Sequence, residues 1–291
     1  MKIAIGAATG NIGSKVATLL AQQGHETILL GRSAEKLQAL AIPNAVIATA
    51  DIADATAITA ATQNVDALFW LVPPGTTAQS FQTWYQDIAA AGAAAVTANY
   101  IPRVVTVSCI GAGAAPDLGT VTYAAYLEEA FNNTSASVVH LRPGYFMDNF
   151  LLQQAAIEQG YFTFPYAPDH DIPFISSEDI AAVAAGYLAD NNWSGKWTRN
   201  LMGPANITPE QAAGIFTEAL GKPVVYQRQS NEELQNQLQA FGLNKVMTHE
   251  IMHLYAALGD TDGVYATPRT AEAYTPTTLR QFIQNRLLTQ S

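Results

Sequence analysis

Six short apolar runs punctuate the first 142 residues: KIAI (2–5), ETILL (26–30), AVIATA (45–50), DALFWLV (66–72), RVVTVS (103–108) and SVVHLR (137–142). They lack the strict alternation of a half-exposed strand, so they predict strands covered on both faces. Helical stretches lie between them at 11–23, 34–40, 53–62, 79–98 and 122–132. This βα alternation predicts an α/β fold with a doubly wound parallel sheet. After Arg142-Pro143-Gly144 the rhythm changes. Residues 145–175 are rich in aromatic and turn residues, followed by a helix at 178–189, a strand at 197–202 and helices near 208–220, 231–241, 245–257 and 276–288. The expected organisation is a nucleotide-binding type of domain over 1–150 and a small, mainly helical C-terminal lobe over 151–291. A segment at about 172–202 is expected to return to the sheet.

Composition narrows the classes. Of 291 residues 49% are apolar and only 13% charged, against about a quarter charged in an ordinary soluble chain. Such a chain buries a large core. Its net charge of -10 argues against nucleic acid or an anionic membrane as partner, and an anionic ligand would need a local source of positive charge. One cysteine, Cys109, fits a reducing compartment. Only three apolar residues separate Lys2 from the first glycine, too few for a signal-peptide core, and the uncharged run 67–86 is interrupted by Pro-Pro-Gly. A cytoplasmic protein is expected.

The first strand runs into Gly6-Ala7-Ala8-Thr9-Gly10-Asn11-Ile12-Gly13. Between a strand and a helix, such a loop aims backbone N–H groups at a pyrophosphate, and the helix dipole favours the anion. Gly10 permits close approach to phosphate and Gly13 packs the helix on the sheet. Gly6, Thr9, Gly10, Asn11, Ile12 and Gly13 are therefore candidate cofactor contacts. The second strand ends in Gly31-Arg32-Ser33, with Lys36 one turn on, where NAD-selective sites carry an acidic residue for the ribose 2′-OH. A guanidinium suits a 2′-phosphate, so Arg32, Ser33 and Lys36 predict NADP, with NADPH preferred over NADH.

Taken together, GAATGNIG, GRSAEKL, LVPPG, VVTVSCIGA, HLRPGYFMDNF and IPFISSEDIAAVAA resemble the NmrA-like branch of atypical short-chain dehydrogenases/reductases. The likeness runs from Lys2 to about Leu288. It implies a Rossmann-like NAD(P) domain with a small lobe closing over a substrate cleft. It also implies that Val72, Pro73 and Ser108 line the cofactor groove, and that Tyr145 and Phe146 lie near the nicotinamide end. The family loop reads G-x-x-G-x-x-G, and its first glycine falls on Ala7. An alanine there is costly if the turn needs a positive φ and acceptable otherwise.

Reductases of the wider superfamily pair Tyr-x-x-x-Lys with a serine, the lysine lowering the phenol pKa. Ser108 and Tyr123 occupy suitable places as catalytic candidates, but Leu127 follows Tyr123 by four and no lysine lies between Arg103 and Arg142. Quinones accept hydride without a lysine-activated tyrosine, so the resemblance points to a quinone reductase-like enzyme taking a quinone-like or other small carbonyl acceptor. The alternative is a non-catalytic dinucleotide-sensing regulator, for which no partner surface is visible. Tyr145, Phe146, Phe150, Tyr161, Phe162, Phe164, Tyr166 and Phe174 either line a cleft for an apolar or aromatic substrate or form the core joining the lobes. A homodimer is the assembly to test. HEIMH (249–253) matches H-E-x-x-H, with His249 and His253 as zinc ligands, Glu250 as base and Glu272 as a third ligand. The competing reading is an amphipathic helix buried along Ile251, Met252, Leu254 and Leu258, with no metal, and Asp169-His170-Asp171 is read as a polar turn.

Overall fold

The structure is a computed structural model describing residues 1–75 and 78–288. Its first half runs β1 (Lys2–Ile5), α1 (Asn11–Gln22), β2 (Glu26–Gly31), α2 (Ala34–Ala39), β3 (Val46–Thr49), α3 (Ala55–Ala61), β4 (Ala67–Leu71), α4 (Phe81–Asn99), β5 (Arg103–Val107), α5 (Thr120–Asn132) and β6 (Ser137–Pro143). The second half holds β7 (Tyr145–Phe146), α6 (Gln154–Glu158), β8 (Tyr161–Phe164), β9 (Phe174–Ile175), α7 (Ser177–Ala189), β10 (Lys196–Leu201) and α8 (Pro209–Leu220). It ends with β11 (Val225–Arg228), α9 (Asn231–Ala240), α10 (Lys245–Gly259) and α11 (Leu279–Arg286).

Seven parallel strands form one sheet in the order β10-β6-β5-β4-β1-β2-β3, a Rossmann-like arrangement. The late strand β10 adds to the edge beside β6, Lys196 opposite Val138. Both faces are covered, which is why the strands read as continuous apolar runs. One face packs Ile3, Ile5, Phe69 and Val105 under α1 and α7. The other packs Leu68, Trp70 and Val104 under α3, α4 and α5. Trp70 is fully buried, and its indole N–H donates to the Ile88 carbonyl at 3.1 Å. A Cβ on Gly92 would sit 2.6 Å from that ring, so α4 can cross Trp70 only through a glycine.

The smaller lobe has its own core of Phe150, Phe162, Phe164, Phe174 and Phe216. It is less purely helical than its sequence suggests. β8 pairs with β11 and β7 with β9, both parallel, and residues 147–153 form a 3-10 helix. These short strands pair across long sequence gaps, which local periodicity does not register. The strand order reverses between β1 and β4, and in open α/β sheets a crevice forms beyond the carboxyl ends of strands at such a point. None of the described helices is long and apolar enough to cross a membrane.

Candidate active site

A cleft of about 550 Å³ opens at this reversal. Its floor is Gly10, Asn11 and Ile12 after β1, Val72 and Pro73 after β4, and Ser108 after β5. Tyr145 and Phe146 form one wall, and Ile251, Leu254, Tyr255 and Leu258 of α10 close it from above. Gly6, Thr9, Gly13, Arg32, Ser33, Lys36 and Tyr123 are not among the lining residues.

The loop geometry explains its sequence. The Gly10 N–H donates to the Ala7 carbonyl at 2.8 Å, and Ala7 closes this turn with φ of 50°. The alanine therefore stands in the left-handed region, where an L-residue costs about 1–2 kcal/mol. A Cβ on Gly13 would lie 2.5 Å from the Ala7 carbonyl oxygen. Gly13 is thus required by the approach of α1 to the loop itself rather than to the sheet. Gly6 makes room for Trp70, whose Cε3 would be 2.8 Å from its Cβ. Ala7→Gly should raise unfolding free energy by about 0.5–1 kcal/mol, the strain relieved less the added backbone entropy. An unchanged or lowered urea midpoint would count against strain at this turn.

α2, α3, α4 and α7 each have a side-chain cap at the N-terminus. α1 has none and carries no acidic residue in its first turn. Among the described residues, the backbone N–H groups of Asn11, Ile12 and Gly13 donate to no protein acceptor, and Asn11 and Ile12 border the cleft. Three orphan donors at the positive end of a 12-residue helix fit a bound pyrophosphate. The Asn11 side chain faces away from this role. It donates to Asp148 Oδ1 at 2.7 Å and accepts from Lys15, which also donates to Ser177 Oγ at 3.1 Å. Ser177 Oγ in turn donates to Asp148 Oδ1 at 2.8 Å. This half-buried polar knot ties the first turn of α1 to the 3-10 segment 147–153 and to the start of α7.

Ser108 Oγ donates to Glu128 Oε1 at 2.6 Å. Arg142 holds the same carboxylate bidentately, Nε and Nη2 donating at 2.8 and 2.6 Å. The serine proton is thus committed to Glu128, leaving the oxygen free to accept. Burial, reinforced by Glu128, pushes the neighbouring Cys109 thiol up to about 12, so it is no nucleophile near neutral pH. Tyr123 stands outside the lining, stacked on Tyr126 with ring centroids 6.0 Å apart. Desolvation, then the charge and hydrogen bond of Glu250, push its phenol up to about 12. Tyr123 is not among the cleft-lining residues, its ring tilted against that of the lining residue Tyr85 with centroids 6.2 Å apart, and it is a weaker acid, the opposite of what a lysine-activated tyrosine requires.

The H-E-x-x-H segment lies on α10, and its glutamate has another task. Glu250 is buried, and its carboxylate accepts from the Phe81 and Gln82 N–H groups at 2.7 and 3.2 Å. It caps α4 across the lobe boundary, so the carboxylate that a zinc hydrolase would use as base is held by backbone. Glu272 offers its backbone carbonyl to Arg199 at 3.0 Å. Among the described residues no group of three metal-binding side chains gathers. His170, in the predicted polar turn, is buried, with Nε2 2.7 Å from the Leu258 carbonyl oxygen.

The sequence pattern of the NmrA-like family matches residues 1–283. This chain belongs to the NmrA-like family. It is 30% identical over 244 residues to quinone oxidoreductase 2 of Escherichia coli (strain K12), covering 83% of this chain and 82% of that protein. It is 28% identical over 252 residues to the NAD(P)H azoreductase of Xenophilus azovorans, covering 85% and 84%. The structure of an NADPH-dependent quinone oxidoreductase from Escherichia coli, complexed with NADPH, aligns with a TM-score of 0.75 at 25% identity over 98% of this chain and 99% of that one. The negative transcriptional regulator NmrA, in complex with NADP, gives 0.71 at 16% identity over 98% and 90%, a likeness of fold alone.

As a member of this family the chain departs from its sequence reading most clearly at α10. Ile251, Leu254 and Leu258 look like a buried stripe, yet with Tyr255 they face the cleft, while Met252 faces a separate surface groove. The signal was present in the i, i+3, i+4, i+7 spacing of 251, 254, 255 and 258, but spacing does not say whether a face meets core or cavity. The aromatic run also divides. Tyr145 and Phe146 reach the cleft, whereas Phe150, Phe162, Phe164, Tyr166 and Phe174 belong to the second core.

Proposed function

We propose that this protein is an NADPH-dependent reductase acting on a quinone-like or other small carbonyl acceptor. The carrying observation is that the uncapped N-terminus of α1 opens into the same cleft as an aromatic and aliphatic wall. Bound NADPH supplies a hydride. The chain contributes the pyrophosphate cradle at Asn11 and Ile12, the groove at Val72, Pro73 and Ser108, and an uncharged lining suited to a flat apolar substrate. The named activities of the quinone oxidoreductase and azoreductase relatives support this reading.

Cofactor choice is assigned to Arg32. It is exposed directly after β2, the strand end where Rossmann-like sites hold the adenosine ribose, and Lys36 is exposed in the next turn. Ser33 serves as the α2 cap, its Oγ accepting from the Lys36 N–H at 3.3 Å. A charged hydrogen bond from Arg32 to a 2′-phosphate contributes about 1.5–3 kcal/mol, or about tenfold to a hundredfold in affinity. Arg32→Ala should weaken NADPH by about that factor and barely change NADH. Titrating both dinucleotides into wild type and variant reads this directly, and equal losses for the two would remove Arg32 from the role. NADPH consumption across a panel of quinones tests the reductase itself. Tight NADPH binding with no turnover would replace it by a dinucleotide sensor.

A further inference from the structure

A carboxylate that reaches the first turn of a helix ordinarily caps it. Asp148 reaches α1 and does not. It is 9% exposed and belongs to the 3-10 segment 147–153. Its Oδ1 accepts from Asn11 Nδ2 at 2.7 Å and from Ser177 Oγ at 2.8 Å, and its Oδ2 accepts from the Ser177 N–H at 3.1 Å. None of these donors is a backbone N–H of α1. The carboxylate grips the Asn11 side chain and leaves the helix end open beside it.

The other polar atoms around Asp148 are committed as well. A carboxylate only accepts and an ammonium only donates. The Asn11 amide is therefore fixed in one orientation, Nδ2 toward Asp148 and Oδ1 toward Lys15. Lys15 Nζ donates to the Asn11 carbonyl at 2.9 Å, to Asn11 Oδ1, and to Ser177 Oγ at 3.1 Å. These bonds occupy all of the ammonium protons, and Lys15 is not among the cleft-lining residues. Lys15 thus has no proton left for a phosphate. Arg286 of α11 closes the cluster, its Nη1 3.9 Å from Asp148 Oδ1 and 3.2 Å from Glu178 Oε1. Lys15 and Arg286 balance Asp148 and Glu178, so the cluster acts on a neighbouring ligand through geometry rather than through net charge.

Asn11 is where that geometry matters. An asparagine oxygen at the start of a helix competes for the free N–H groups there. We propose that Asp148 is the positioning residue of the pyrophosphate site: by holding the Asn11 amide turned away from α1, it keeps the backbone N–H groups of Asn11, Ile12 and Gly13 open to the diphosphate of the dinucleotide. This rests on the NADP(H) reading above. A purely electrostatic role has the opposite sign, because removing a negative charge beside a diphosphate strengthens its binding.

Calorimetric titration with ligands that carry or lack the diphosphate isolates the effect. Asp148→Ala should weaken binding of 2′-phospho-ADP-ribose about fivefold, the worth of one side-chain cap, and leave adenosine 2′-monophosphate unchanged. In an Asn11→Ala background the same substitution should cost nothing further, since no side-chain oxygen remains at position 11 to compete. A strut that merely supports the fold would cost the same in both backgrounds. Asp148→Asn keeps the shape with fewer acceptor sites and should fall between wild type and Asp148→Ala, and it carries the comparison if the alanine variant does not fold. Tighter binding of 2′-phospho-ADP-ribose, an equal loss with adenosine 2′-monophosphate, or an undiminished loss in the Asn11→Ala background would overturn the assignment. If wild type binds neither ligand, the NADP(H) reading fails and this role with it. If wild type binds 2′-phospho-ADP-ribose and the Asp148 variants match it, that reading stands and the positioning role alone falls.

Discussion

Glu250→Ala should lower the unfolding free energy by about 3 kcal/mol, because it strips the first turn of α4 of two charge-assisted bonds. Ser80 Oγ accepts from the Thr83 N–H at 3.0 Å and the Ser80 carbonyl from the Trp84 N–H at 3.2 Å. Glu250 takes the two remaining orphan donors, Phe81 and Gln82, so the N-terminus of α4 is fully satisfied. Phe81 and Tyr85 of this helix face Ile251, Leu254 and Tyr255 of α10 across the cleft. The loss should therefore appear in acceptor binding as well as in a urea transition. A zinc role predicts something different: stoichiometric metal in protein purified without a histidine tag, and destabilisation by a chelator. A variant as stable as wild type would mean that the cap contributes nothing and would return Glu250 to the list of residues awaiting a role.

The second large effect is a loss of stability on acidification, centred on His140. This residue is 1% exposed, with Nδ1 2.7 Å from Thr106 Oγ1 and Nε2 3.1 Å from Asn132 Oδ1. The neutral ring satisfies both neighbours, accepting from the hydroxyl and donating to the amide oxygen. Burial pulls its pKa from 6.5 down to about 4, with Arg142 adding to the effect and Glu128 opposing it. The unfolded chain therefore binds a proton that the folded chain refuses. The contribution is whole above about pH 6.5 and is lost as pH falls toward 4, reaching about 2.5 kcal/mol by about pH 4.5. Urea transitions of wild type and His140→Gln at about pH 7 and about pH 4.5 isolate it. The wild type should lose about 2.5 kcal/mol more than the variant, and parallel losses would exclude His140 as the source.

Much of this protein was determined by sequence alone, and the reason is local. Runs such as DALFWLV and RVVTVS are apolar on both faces because both faces are covered, so the strands and their parallel order followed from periodicity. The glycine loop was legible because a strand, a turn and a helix within thirteen residues dictate where N–H groups point. The missing Tyr-x-x-x-Lys lysine was equally plain. What only the tertiary structure decided depends on contacts between distant segments. Gly6 is set by Trp70, and Gly13 by the Ala7 carbonyl brought against it. The φ of Ala7 required the folded turn. Glu250 stood in a motif open to two readings, a zinc hydrolase's base or part of an amphipathic helix, until α4, 168 and 169 positions away, placed two N–H groups on its carboxylate. Tyr255 carried no motif at all. Its place in the cleft arises from α10 being laid against the carboxyl ends of distant strands. Periodicity records which face of a helix avoids water, but whether that face meets a core or a substrate is fixed only when the second lobe is laid over the first.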